Sequence, residues 1–185
     1  MPQSSPLTPF RYKGVIVVLG SLALLGTACS SSHRRATPVA TTTTIVTTTT
    51  NRQEAAVLAA YRAAWAAFEH AGLTANAFDP LLPETMIDPV LQQVRRNLLG
   101  DKAHGAVARG TFTLHPHVLA MTGTSATVVD CAYSTSVLVY ATTGKQVPPV
   151  TPPEYDGIKS TVTLVGSAWK VSQQAVTEGH CAPGY

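Results

Sequence analysis

The sequence predicts an α+β fold, with N-terminal helices packed on a curved antiparallel sheet. Three observations point there. Apolar residues recur at three- and four-residue steps in two segments before Gly100. After Gly100 the pattern shifts to short runs rich in Val, Thr and aromatic residues, separated by glycine turns. The helical segments all precede the strand-like ones, which is the order of α+β domains rather than of alternating α/β ones.

The first helix is expected from Glu54 to about Ala71. Leu58, Tyr61, Trp65 and Phe68 fall on one face, Arg62 and Glu69 elsewhere, and the intervening alanines favour helix. Gly72 supplies the stop. A loop containing Asp79, Pro80 and Pro83 should follow. A second helix is expected from Pro89 to Leu99, with Asp88 as N-cap and Gly100 as C-terminal stop. Its apolar face is Val90, Leu91, Val94 and Leu98. Candidate strands are Ala106–Val118, Ser125–Tyr133, Ser136–Ala141, Ile158–Val165 and Ala168–Val176, with turns at Gly123, Gly144 and Gly166. The segment Val147–Pro153 is too rich in proline for a central strand and reads as a loop. A sheet of this kind needs one face covered, and the aromatic face of the first helix is the obvious cover.

The leader comes before all of this. Arg11 and Lys13 give a positive start, Gly14–Leu25 is an apolar run of about a dozen residues, and Gly26, Thr27 and Ala28 are small. A bilayer span needs about 20 residues, so this length suits a secretory signal over residues 1–28. Cys29 follows at once, and Ser30, Ser31 and Ser32 come next. That order is expected of a lipoprotein, whose cysteine sulfur carries diacylglycerol. The motif departs from the usual one, because Leu25 stands four places before the cysteine rather than three. The competing outcomes are ordinary cleavage with secretion, or an uncleaved anchor. Cysteine arithmetic favours lipidation: of three cysteines, consuming Cys29 leaves Cys131 and Cys181 to pair in an oxidising compartment. Residues 29–52 then form a Thr-rich linker, with TPVATTTTIVTTTT read as an extended spacer open to O-glycosylation, and residues 53–185 form the domain.

Composition limits the partners. The chain of 185 residues carries a formal charge of +3, of which Arg11 and Lys13 lie in the leader. No block of Lys and Arg survives outside it, so there is no electrostatic footprint for nucleic acid. The pair Arg34–Arg35 could touch anionic headgroups, or simply be a solvated linker pair. The remaining partners are the lipid bilayer itself, through the Cys29 anchor, and a small ligand or an envelope protein.

A resemblance adds to this reading. The opening AYRAAWAAFEHA (Ala60–Ala71), the strand pair Asp130-Cys131, the segment Gly166-Ser167-Ala168-Trp169-Lys170-Val171 and the terminal Gly179-His180-Cys181 resemble small actinobacterial-type cell-envelope lipoproteins with an NTF2-like (SnoaL-like) domain. The resemblance covers about residues 54–182. It implies a cone in which the sheet curls around the first helix and leaves a pocket. Some members of that superfamily are isomerases, cyclases or dehydratases, and others only bind, so fold carries no activity by itself.

Three features could carry chemistry. Tyr61, Trp65 and Phe68 could line a pocket or form a core stripe. Asp130 is the acid inside a strand. Facing an apolar pocket it could serve as a general base of the isomerase or dehydratase type, and facing water it has no catalytic use. Adjacent strand residues face opposite ways, so Cys131 on the outer face would put Asp130 inside. His115 and His117, two apart, could reach one ion, but two ligands are not a site, and no metal or cofactor is expected. There is no phosphate-binding glycine loop and no Gly-x-Ser-x-Gly elbow. The favoured reading is therefore a membrane-anchored extracytoplasmic binding domain without catalysis.

Overall fold

The computed structural model describes residues 43–150 and 152–181. The leader, Cys29 and the start of the Thr tract lie outside them. Three helices come first: α1 (Thr43–Gly72), α2 (Leu81–Thr85) and α3 (Val90–Ala103). Seven strands follow among the described residues: β1 (Ala106–Arg109), β2 (Phe112–Thr113), β3 (His117–Met121), β4 (Ser125–Ser134), β5 (Val137–Tyr140), β6 (Glu154–Val165) and β7 (Ala168–Thr177). The expected α+β order holds.

α1 begins at Thr43, inside the Thr tract, and not at Glu54. The β-branched threonines disfavour a helix only by tenths of a kcal/mol each, about 0.7 at most, so a strongly helical neighbour can extend through them. Its buried face is Val57, Tyr61, Ala64, Trp65 and Ala71, with Phe68 half-buried, and it ends at Gly72 as expected. Fully burying a side chain of the size of Val57 or larger contributes roughly 2 kcal/mol, which is what fixes the helix on the sheet.

The segment expected as loop contains α2. Asp79, 3% exposed, accepts the Leu81 amide on Oδ1 and contacts His70 Nδ1 through Oδ2 at 2.8 Å, tying α2 to the end of α1. α3 runs past Gly100 to Ala103, so Gly100 is not its stop. The left-handed residue that follows is Gly105. Asp88 does not cap it either. The N-cap is Pro89, and Asp88 instead accepts the Gln92 side-chain amide.

The main sheet is antiparallel, with β4, β6 and β7 as its long members in the order β4-β6-β7. The expected strand Ala106–Val118 is broken into three pieces. β1 leaves to pair with β5 in a two-stranded sheet, while β2 and β3 pair with the two ends of β4. Gly110 makes the first corner at φ +98, where a Cβ would meet the Thr135 carbonyl at 2.2 Å. Register shifts at Val118/Ala120 and Thr161/Val162 bend the sheet around α1 without closing it.

The bridge Cys131–Cys181 is formed, with the two Cα atoms 5.6 Å apart. It lies on the outer face of β4 and draws the C-terminal tail across the start of β6. There His180 O accepts the Gly157 amide and Asp156 Oδ1 accepts the Gly179 amide.

Candidate functional site

Acidic side chains face the concave side of the sheet at two places, and only one of the two meets open space. The first is Asp130. With Cys131 outside, alternation puts Ala126, Val128, Asp130 and Ala132 on the α1 side, and all four are buried. Asp130 is 0% exposed. Its Oδ2 accepts the Tyr61 hydroxyl at 3.0 Å and its Oδ1 the His115 amide at 2.7 Å. Proline at 116 has no amide to give β4, and β2 and β3 break around it. The carboxylate fills that gap in the ladder and ties it to α1. Burial pushes the Asp130 carboxyl up, while the His115 amide and Tyr61 hydroxyl pull it back. Burial, then the neighbouring Asp130, push the Tyr61 hydroxyl far above the ordinary phenol range.

The second cluster sits at a cavity of about 390 Å³ at the end of the cone. Trp65 and Phe68 line it from α1, Val90 and Val94 from α3, and Phe112 from β2. Phe112 is held in place because its amide donates to Glu69 Oε1 at 2.7 Å. Its ring centroid lies 4.6 Å from that of Trp65, and Phe68 closes the group edge-on to Trp65. Opposite these aromatics stand Glu154, Asp156 and Glu178. The β4–β6 register explains two of them: Ala132 pairs with Asp156 and Ser134 with Glu154, so both share the inward parity of Asp130. Burial first, then Asp156 and Glu178, raise the Glu154 carboxyl. Burial also raises Asp156, against the Gly179 amide and with the help of Glu178. Gly179 is required here: its φ is +79, and a Cβ would come within 3.0 Å of Glu154 Oε2.

The structure therefore divides the expected site. Trp65 and Phe68 line the cavity. Tyr61 and Asp130 do not; they are sealed in the core against each other. Burial fits the general-base reading of Asp130, but the lack of access does not, since a base must reach its substrate. His115 and His117 are exposed at the edge, and His115 Nδ1 lies 3.2 Å from Cys131 O. Among the described residues no three potential ligands come together for a metal. Glu154, Asp156 and Glu178 are the residues sequence reasoning missed. The available signal was the even-numbered alternation Glu154, Asp156, Ile158, Ser160, Val162, which continues β6 four residues back from its expected start.

No family model and no curated protein matches the chain. Solved structures do. The intermembrane space region of the chloroplast protein ARC6 is 18% identical with a TM-score of 0.50, over 68% of this chain and 94% of that one. A candidate dehydratase of the NTF2-like family from Streptomyces avermitilis is 14% identical with a TM-score of 0.47, over 69% and 96%. An NTF2-like protein from Prochlorococcus marinus is 14% identical with a TM-score of 0.34, over 48% and 63%. At such identities the likeness is one of fold and not of activity. With helices first and a curved, unclosed antiparallel sheet wrapped on the longest of them, the chain has an α+β fold of the kind seen in the ARC6 region.

Proposed function

We propose that this is an exported, lipid-anchored protein whose cone binds a small molecule with an apolar body and does not catalyse its conversion. The observation that carries the reading is the cavity wall. Aromatic and aliphatic side chains, Trp65, Phe68, Phe112, Met86, Val90 and Val94 among them, make up half of it, which suits a ligand with an apolar body, and no Lys, Arg or His is among the residues that line it. Isomerase or dehydratase chemistry builds negative charge on the substrate and needs a donor or cation to meet it. The cavity wall offers neutral donors in Gln93, Asn97, Gln174, Ser134 and Ser136 but no cation, and its three carboxylates would oppose that charge. Asp130, the base the sequence pointed to, is closed off, and the carboxylates that do reach the cavity, Glu154, Asp156 and Glu178, have no Lys, Arg or His beside them among the lining residues.

A neutral fluorescent dye such as Nile red tests the reading. Its emission should rise with the wild-type chain and stay at the free-dye level with Val94→Trp, which fills the cavity from α3. Equal enhancement by both would contradict binding in this cavity.

Anchoring rests on the charged start, the short apolar run and Cys29 before its Ser run. The wild type should incorporate a fatty-acid analogue and fractionate with membranes, and Cys29→Ala should lose both. A wild-type chain that takes up no label overturns lipid anchoring and leaves secretion or an uncleaved anchor.

A further inference from the structure

We propose that the free half of β7, residues 173–177, is the docking edge for an extended segment of a partner polypeptide, which joins the sheet as a further strand and places one apolar side chain in the cavity. The inference goes beyond the small-molecule reading and shares only the open cavity with it.

β7 ends the main sheet, with β6 on one side. Its other side is divided into two halves. Around Val171 the edge is covered by the segment that follows α2: Met86 bridges to Val171, and the Ile87 amide donates to the Val171 carbonyl at 2.9 Å. Lys170 Nζ donates to the Pro83 carbonyl at 2.8 Å in the same stretch. Beyond it, no described residue outside β6 bonds the backbone of Gln173 to Thr177. A strand with one neighbour turns the N–H and C=O of every second residue outward, so this half offers a row of open ladder positions.

Sheets usually blunt such edges with lysine, proline, a bulge or short length. The opposite edge of this sheet has those devices. β2 is two residues long, Pro116 precedes β3, and β3 is five residues with a register shift at Val118/Ala120. Residues 173–177 (QQAVT) contain no charge and no proline, and the β7 register shift opposite Thr161/Val162 lies before them.

The cavity supplies the choice of partner. Residues directly opposite each other on neighbouring strands project to the same face of the sheet. Gln174 and Val176 project to the concave face and line the cavity. A strand laid along β7 sends the residues opposite them to that face too, where Trp65 and Phe68 of α1 and Val94 of α3 line the same space. A volume of about 390 Å³ holds one large apolar side chain such as Leu, Phe or Trp. The main-chain ladder then supplies affinity and the cavity supplies specificity, which is how strand addition recognises a peptide.

The probes are three peptides, acetyl-Thr-Val-Thr-X-Thr-Val-Thr-amide with X as Leu, Phe or Trp, titrated into the full chain by calorimetry. At least one should bind, and should slow amide exchange within residues 173–177 by about tenfold or more while β3 exchanges as before. N-methylation of its three central amides removes ladder donors and keeps every side chain, and should weaken it by about tenfold or more. Asp at X should weaken it by a similar factor, and so should Val94→Trp in the protein. Binding by none of the three overturns the proposal. So does an N-methylated peptide that binds as tightly as its parent, or slowing confined to β3. Residues 173–177 already protected without peptide, in a chain that is dimeric by light scattering, would mean that a second copy holds the edge, and overturns it too. A peptide that binds and slows these amides in a chain that takes up no Nile red supports the docking edge and overturns the small-molecule reading alone.

Discussion

Replacing Asp130 by Ala is expected to lower the unfolding free energy by about 3 kcal/mol, because it leaves the buried Tyr61 hydroxyl and the part-buried His115 amide without their acceptor. Asp130→Asn keeps an oxygen and should lose only about 1 kcal/mol. Urea unfolding of the three chains reads both values, and an Ala variant as stable as the wild type would show that the carboxylate is not a structural link. The pH profile supplies the sign. Burial holds the folded carboxyl above its unfolded value, so the folded state binds the proton more tightly. The stability this contributes is full below the unfolded value and is lost as pH rises through the folded one. The wild type should therefore lose ground against Asp130→Asn between acid and neutral pH; a gain would mean that the hydrogen bonds outweigh burial.

Removing the disulfide should have an effect of similar size. Cys131 and Cys181 are separated by 50 residues, for which the chain-entropy estimate is about 4 kcal/mol. Cys131→Ser/Cys181→Ser should show that loss in urea unfolding. It should also free the tail that carries Glu178 and Gly179, so amide exchange at Gly157 and Gly179, which are bonded across the tail, should quicken before exchange in β4 does. A double variant within 1 kcal/mol of the wild type would contradict a stapling role.

The helix–sheet core was legible in the sequence because it obeys simple periods. The stripe Tyr61, Trp65, Phe68 and the alternation of β4 each follow from repeat alone, and the odd–even relation of Asp130 to Cys131 puts Asp130 in the core and the half-buried Cys131 on the other face. What was not legible depends on pairing. Nothing local says that Ala106–Val118 must break twice; that follows from β1 turning at Gly110 to join β5, and from Pro116 opposite Asp130. α2 was hidden by prolines at 80 and 83, although proline is tolerated in a first helical turn. The acidic end of the cavity was hidden for a similar reason. Glu154 and Asp156 follow a proline-rich loop and look like its polar edge, and Glu178 lies more than twenty residues away until β7 folds back on β6.

The two inward-facing acidic sites divide the labour in the function proposed: Asp130 holds the fold, and the cavity beside Trp65 is the proposed ligand site. Nile red titration of Asp130→Asn beside Val94→Trp tests it most directly. The account predicts that Asp130→Asn binds the dye as the wild type does, while Val94→Trp does not bind it. Loss of dye binding in a folded Asp130→Asn chain, with binding retained in Val94→Trp, would place the site at Asp130 and contradict it.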